Sequence, residues 1–142
     1  MTAVTTATPA GLVPLNLRST PRGPGAPTLR LFLLAFTPKE KVTGYAEVTQ
    51  ALQSPIVCLS HVNGVLIWET VMPPGKSAVR IDLTGYPEIV WPDDGGIGPV
   101  IGQNFKAMVV LDTHFTEGTV RYEYQSRSGE WVREEQPISR VD

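Results

Sequence analysis

Residues Thr28–Phe36 read Thr-Leu-Arg-Leu-Phe-Leu-Leu-Ala-Phe, and this stretch decides the fold class. After Arg30 every residue is apolar, so both faces of the segment are apolar. Its short length and the Pro38 that follows argue against a helix. Such a run predicts a β-strand that is either covered on both faces in the centre of a sheet or enclosed in a barrel.

The neighbouring segments alternate between apolar and polar residues. Residues 42–50 follow a charged turn at 37–41 and have the alternation of a half-buried strand, which predicts a hairpin with Thr28–Phe36. Upstream, residues 12–18 also alternate, but Pro14 cannot donate a hydrogen bond to a neighbouring strand. We therefore expect residues 12–18 to form an edge strand.

A second hairpin is predicted around Asn63-Gly64, which lies between the apolar runs 56–62 and 65–71. The pair favours a type I′ turn, because both central residues of that turn need positive φ. Further strands are predicted at residues 77–84, 105–112, 119–125 and 130–135.

About nine strands with regular turn residues and no convincing helix are typical of a sandwich or barrel. We predict one antiparallel all-β domain over residues 11–137, in the form of a two-sheet β-sandwich of about eight to nine strands. A closed or partly closed β-barrel is the alternative. Residues 1–10 are expected to be a disordered N-terminal arm, and residues 138–142 a polar tail.

Composition excludes several classes of function. The chain has 142 residues, 42% of them apolar and 18% charged, which suits one soluble globular domain. The formal net charge is -2 and the cationic residues are scattered, so nucleic acid is not expected as a partner. Cys58 is the only cysteine, which excludes an intramolecular disulfide and a cysteine-rich zinc site. Its burial in an apolar strand is the simplest interpretation.

The sequence predicts no transmembrane segment, because no run approaches the eighteen or so apolar residues that span a bilayer. The N-terminus has no Lys or Arg before Arg18 and no compact apolar region, so a standard secretory signal peptide is not predicted. A cytoplasmic protein is the default expectation, and the compartment itself stays open.

Residues 85–104 form the longest stretch without strand or helix patterning, with five of the thirteen glycines. A connection of this length is often functional, or else it forms a packed cover. Tyr86 and Trp91 could stack on a sugar while Asp93 and Asp94 accept its hydroxyl groups, so these four residues are the candidate ligand-binding site, with a carbohydrate as the first ligand. In the competing interpretation both rings pack over the open end of the core.

The same stretch lacks the known phosphate and metal motifs. Residues 96–102 carry Pro99 where a dinucleotide fingerprint opens a helix, and they lack the Gly-Lys-Ser or Gly-Lys-Thr ending of a P-loop. Asp93 and Asp94 lack the further ligands and the closing Glu of an EF-hand, and Pro92-Asp93-Asp94-Gly95 fits a type I turn. We therefore expect no metal and no cofactor.

The two histidines, His61 and His114, complete no catalytic motif. Asp112 and His114 would share a strand face, but no Gly-x-Ser-x-Gly or His-Glu-x-x-His accompanies them, and a turn-forming role explains them more simply. A small hydrolase or isomerase that uses this pair with Glu88 is the lesser alternative. Cys58 and His61 are three residues apart, which places them on opposite faces of a strand.

The leading functional hypothesis is therefore a non-enzymatic binding or interaction module, with its site at the end of the fold where residues 85–104 lie. The first alternative is a barrel-type carrier whose inward residues line a cavity for a small apolar ligand and whose long loop closes the mouth. A subunit that packs on another copy of itself, or on another protein, needs no ligand.

Gly85-Tyr86-Pro87, Trp91-Pro92 and Gly96-Ile97-Gly98-Pro99-Val100-Ile101 carry a resemblance to a known group of sequences. Through them the chain resembles an uncharacterised family of small bacterial proteins classed as a domain of unknown function. The likeness extends from about Gly11 to Trp131. It implies a small β-protein of bacterial origin, and it implies no activity and no catalytic residue.

Overall fold

A computed structural model of the chain describes residues 11–50, 56–69, 77–87 and 102–141. These residues form eight antiparallel strands joined in sequence order. The strands are β1 (Leu12–Ser19), β2 (Thr28–Phe36), β3 (Lys41–Thr49), β4 (Ile56–Glu69), β5 (Ala78–Tyr86), β6 (Phe105–Asp112), β7 (Glu117–Gln125) and β8 (Trp131–Arg140). A 3-10 turn, Thr37–Lys39, joins β2 to β3. The described part of the chain holds no helix long and apolar enough to cross a membrane.

The sheet closes into a barrel because its first and last strands pair. Leu17, Arg18 and Ser19 of β1 lie opposite Arg140, Ser139 and Ile138 of β8. Every other pairing joins strands that are consecutive in the chain. The fold is therefore the closed barrel of our alternative prediction, and the prediction of a two-sheet sandwich was wrong.

Alternation of apolar and polar residues could not separate the two architectures, because it reports only that one face of each strand is buried. The pairing of β1 with β8 separates them, and it involves residues beyond the predicted last strand, 130–135. That prediction was too short: β8 continues to Arg140, and it buries Gln136 and Ile138 inside the barrel. The polar composition around these two residues concealed the closing strand.

Side chains at alternate positions point into the barrel and pack against one another. In β2 the inward residues are Leu29, Leu31, Leu33 and Ala35, and all of them are buried. Thus β2 is a strand of a closed barrel, as one of the two predictions for it stated. Its second set of apolar side chains lies on the outside of the wall and is partly exposed.

The predicted hairpin at Asn63-Gly64 is wrong, because β4 runs without interruption through both residues. Asn63 lies opposite Thr43 in β3 and opposite Thr84 in β5. Gly64 does not form a turn; it allows β4 and β5 to approach closely. A β carbon at this position would lie 1.8 Å from the carbonyl oxygen of Asp82 in β5. The local turn preference of Asn-Gly is thus overridden by hydrogen bonding to a strand on each side.

The first half of β1 has no strand partner on the β8 side among the described residues, since the two strands pair only at Leu17 to Ser19. Pro14 lies in this half, where its missing N–H leaves no unpaired donor. Its carbonyl oxygen accepts a hydrogen bond from Arg140 Nη2 at 3.2 Å. The prediction of an edge strand over residues 12–18 thus fits only its first residues, because Leu17 and Arg18 pair with β8 and close the barrel.

Replacing Gly64 by Ala is expected to lower the free energy of unfolding by about 2 kcal/mol, because the added methyl group must displace the Asp82 backbone. Gly102→Ala is the matched control, since a β carbon there meets no atom within 4 Å. Urea denaturation of both variants measures the difference. A Gly64→Ala variant as stable as Gly102→Ala would contradict the continuous β4.

Candidate functional site

The upper end of the barrel is the end that carries the β1–β2, β3–β4, β5–β6 and β7–β8 connections. Residues 85–104, to which the ligand site was assigned, join β5 to β6 at this end. A recess of about 670 Å³ opens here, and we call it the mouth recess. Its lining residues are Arg22, Pro24, Gly25, Ala26, Pro27, Gln50, Val57, Tyr124, Ser126, Arg127, Ser128, Val132 and Glu134.

Glu134 supplies a carboxylate to the mouth recess. In β8 it lies between Arg133 and Glu135, which are both exposed on the outer wall, so its own side chain points inward and is half-buried. Among the described residues no ion pair or hydrogen bond reaches this carboxylate. Glu123 and Glu135, on the outer wall, are both paired with arginines. A partly desolvated acceptor without a partner can bind a donor from a ligand.

Two stacked tyrosines lie next to Glu134. The ring centroids of Tyr122 and Tyr124 are 6.0 Å apart, and the Phe105 ring follows at 6.3 Å from Tyr122. Burial raises the pKa of both tyrosines, and the nearby Glu134 carboxylate raises the pKa of both further. Both phenols therefore stay uncharged at neutral pH, so they act as hydrogen-bond donors and not as bases.

A chain of buried hydrogen bonds supports one wall of the recess. The Tyr122 hydroxyl donates to Gln136 Oε1 at 2.9 Å, and Gln136 Nε2 donates to the Pro27 carbonyl oxygen at 2.8 Å. The Leu29 N–H donates to Ser19 Oγ at 2.8 Å. Because Gln136 is fully buried, these bonds hold the end of the β1–β2 connection firmly against the barrel.

A second cluster anchors the start of β6. The Ser60 hydroxyl donates to Asn104 Oδ1 at 2.6 Å, and Asn104 Nδ2 donates to the Leu59 carbonyl oxygen at 3.3 Å. Cys58 lies beside them, with its sulfur 3.6 Å from Ser60 Oγ. Burial raises the pKa of the Cys58 thiol, which is consistent with the structural role predicted for it. His61 points to the opposite side of the wall, as its spacing from Cys58 predicted.

Of the four predicted ligand residues, Tyr86 lies in the described part of the chain, and Trp91, Asp93 and Asp94 lie outside it. Tyr86 is the last residue of β5 and lies opposite His61. Its side chain is 42% exposed on the outer wall. Tyr86 therefore lies at the upper end of the barrel, but it is not among the residues that line the mouth recess.

Asp112 and His114 lie at the lower end, in the turn between β6 and β7. Asp112 Oδ1 accepts hydrogen bonds from the N–H groups of His114 and Thr116, both at 3.0 Å. Oδ2 accepts from the Thr116 hydroxyl and from the Glu117 N–H. Burial raises the pKa of Asp112, but these hydrogen bonds together outweigh burial and lower it. The predicted turn-forming role is confirmed, and none of these bonds involves the His114 ring. Glu88 lies outside the described residues.

Sequence reasoning missed Glu134, Tyr124 and Gln136 as members of a site. Residues 130–135 were interpreted as one charged strand, in which Glu134 did not differ from its neighbours. The pattern that could have found it is the spacing of Val132, Glu134, Gln136 and Ile138, since residues two apart share a strand face. Ile138 shows which face is inward, so the carboxylate two positions before Gln136 must also point inward.

Comparison with known sequences places the chain in a family to which no activity is assigned. The family described as a domain of unknown function (DUF1842) matches residues 10–131, which include β1 to β7 and the first residue of β8. No curated protein matches the sequence. Within the described residues no three His, Cys, Asp or Glu side chains lie close enough to form a metal site.

Replacing Tyr122 by Phe is expected to lower the free energy of unfolding by about 1 to 2 kcal/mol, because buried Gln136 Oε1 loses its donor. Tyr86→Phe is the control, because this ring is 42% exposed on the outer wall, and it is expected to change stability by less than about 0.5 kcal/mol. Urea denaturation of the two variants tests the difference. Equal stabilities would show that the Tyr122 hydroxyl does not support the recess wall.

Proposed function

The chain belongs to the DUF1842 family, and we propose that it is a non-enzymatic binding protein that holds a small ligand in the mouth recess of its barrel. The observation that carries this proposal is the inward Glu134 carboxylate, which lines a recess of about 670 Å³. Small-molecule sites range from roughly 300 to 1,000 Å³. The recess is therefore large enough for a ligand of one or two rings.

The lining of the recess favours a particular class of ligand. Val57, Val132 and the Tyr124 ring offer apolar contact, and Glu134 is the one carboxylate among the lining residues, which also include Arg22 and Arg127. A ligand with an apolar body and one neutral N–H or O–H group fits this arrangement, because the polar group gives orientation while the body gives affinity.

The proposed site differs from that of the barrel-type carrier, whose ligand was expected in a cavity inside the barrel. A carrier with a deep cavity needs inward side chains that leave space, but Leu17, Leu31, Leu66 and Val109 are 0% exposed and pack within the core. The ligand is instead proposed to lie above this packed core.

A glycan-binding loop is the second candidate, and the exposed ring of Tyr86 supports it. In this version Tyr86, Trp91, Asp93 and Asp94 bind a sugar on the outside of the upper end, without use of the recess. A hydrolase that uses Asp112 and His114 is not proposed, because the turn occupies the carboxylate.

We expect the neutral dye N-phenyl-1-naphthylamine, which has apolar rings and one N–H, to bind the protein with a rise in fluorescence. Glu134→Gln should weaken binding by about threefold to tenfold, since it removes a charged acceptor. Val132→Trp should abolish binding by filling the recess. Titration of dye into each folded variant measures both effects.

Glu135→Gln is the matched control for the dye experiment, because Glu135 is the next residue of β8 but lies on the outer wall. It is expected to bind the dye like the unmodified protein. Failure of the dye to bind, or equal binding by Glu134→Gln, Val132→Trp and the control, would contradict a ligand site in the recess.

The glycan version predicts binding on a glycan array that is lost when Trp91 or Tyr86 is replaced by Ala, since each change removes a stacking ring. Trp131→Ala is the control, because Trp131 is also exposed but lies on the outer wall at the start of β8. An array with no bound glycan, or equal binding by all three variants, would remove this candidate.

A further inference from the structure

The outer wall of the barrel has an apolar half and a charged half. The outward side chains of β6 to β8 are mainly charged and include Lys106, Arg121, Glu123, Arg133 and Glu135. On β1 to β4 a group of exposed large side chains is apolar, and we call it the apolar face; the charged side chains of Arg18 and Lys41 are also exposed on these strands. The members of the apolar face are Leu12, Phe32, Leu34, Phe36, Tyr45, Leu59 and Val65.

These side chains are neighbours across the strands. Phe32 lies opposite Tyr45, and Tyr45 lies opposite His61, with 4.3 Å between the centroids of the last two rings. A depression of about 480 Å³ lies between them, and its walls include Phe32, Leu34, Tyr45 and His61. The face therefore offers both projecting rings and a concave centre, as tightly packed interfaces do.

The apolar face approaches the area that a stable dimer needs. Its side chains are between 38% and 61% exposed, from Phe32 to Leu12. Since a large side chain presents about 150 to 250 Å² when fully exposed, the seven together offer roughly 500 to 700 Å². An interface of standard size buries about 800 Å² on each partner, and the polar neighbours Thr43, His61 and Asn63 can supply the remainder.

Charge on the two halves is arranged differently. On the charged half Arg121 pairs with Glu135 at 3.3 Å, and Arg133 pairs with Glu123 at 2.6 Å. Beside the apolar face Arg30 lies opposite Glu47, but the two form no ion pair among the described residues. Arg30 Nε is buried without a hydrogen-bond partner, and its guanidinium carbon lies 5.2 Å from the centroid of the Phe32 ring.

Both signs of charge lie at the apolar face, Glu47 as the anion and Arg30 and the exposed Lys41 as cations, and this fits a second copy of that face. In a twofold interface each surface meets itself, so Arg30 of one copy can reach Glu47 of the other while Glu47 of the first copy reaches Arg30 of the second. A partner that carried only one sign of charge would repel either Arg30 or Glu47. The formal net charge of -2 adds little repulsion between copies.

We propose that two copies of this chain pair through the apolar face about a twofold axis, with Arg30 of each copy directed at Glu47 of the other. Sedimentation velocity over about a hundredfold range of concentration is expected to show a shift from the mass of one chain to that of two. Leu34→Asp in the centre of the face should keep the protein at the mass of one chain throughout that range. Thr119→Asp, at an exposed outward position of β7, is the matched control and should pair like the unmodified chain.

A charge exchange tests the orientation of the two copies and does not depend on the folding of Leu34→Asp. Arg30→Glu and Glu47→Arg should each raise the dissociation constant at least about tenfold, and the double variant should restore it to within about threefold. A single-chain mass at every concentration would overturn the proposal. So would a dimer that is unaffected by Leu34→Asp in a folded variant, or a double variant no tighter than the single ones.

Discussion

The pairing of three residues of β1 with three residues of β8 turns eight strands into a barrel. Without it the wall would have two long edges with unpaired N–H and C=O groups. Closure also fixes the volume inside, so every inward position must be filled without overlap. Gly64 and Gly118 allow neighbouring strands of the wall to approach closely, since β carbons there would lie 1.8 Å and 1.7 Å from carbonyl oxygens of those strands.

Among the described residues the buried polar side chains are Ser19, Ser60 and Gln136, and those of Ser60 and Gln136 bond to groups next to connections at the upper end. Gln136 donates to the Pro27 carbonyl oxygen, and Asn104 donates to that of Leu59. These side chains give the upper end a hydrogen-bonded framework that apolar residues could not provide. Glu134 projects from this framework, so a ligand bound to it would meet a rigid surface and lose little affinity to reorganisation.

Much of the fold could be predicted from local patterns. The strands and their inward faces follow from two-residue alternation, as at Val13, Leu15 and Leu17 or at Val79, Ile81 and Leu83. The continuity of β4 and the closing role of Ile138 could not be predicted, because both depend on partners far away in the sequence. Asn63-Gly64 favours a turn by itself, and only β3 and β5 on either side make it part of a strand. The recess was missed for a different reason: residues 130–135 were interpreted as one charged strand, although the two-residue spacing from Glu134 to Ile138 places the carboxylate on the inward face.

The sequence of β2, which is apolar on both faces, has more apolar residues than the barrel core requires. The barrel core is filled by the inward side chains Leu29, Leu31, Leu33 and Ala35. Phe32, Leu34 and Phe36 point outward and do not contribute to this core. Outward positions on β7 and β8 include paired charges, Arg121 with Glu135 and Arg133 with Glu123. Three large apolar residues on one strand of the same wall raise the risk of aggregation and add little to the stability of a single chain. Their presence is explained by a second surface that covers them, and Arg30 and Glu47 beside them, which form no ion pair among the described residues, fit a surface that carries both signs of charge.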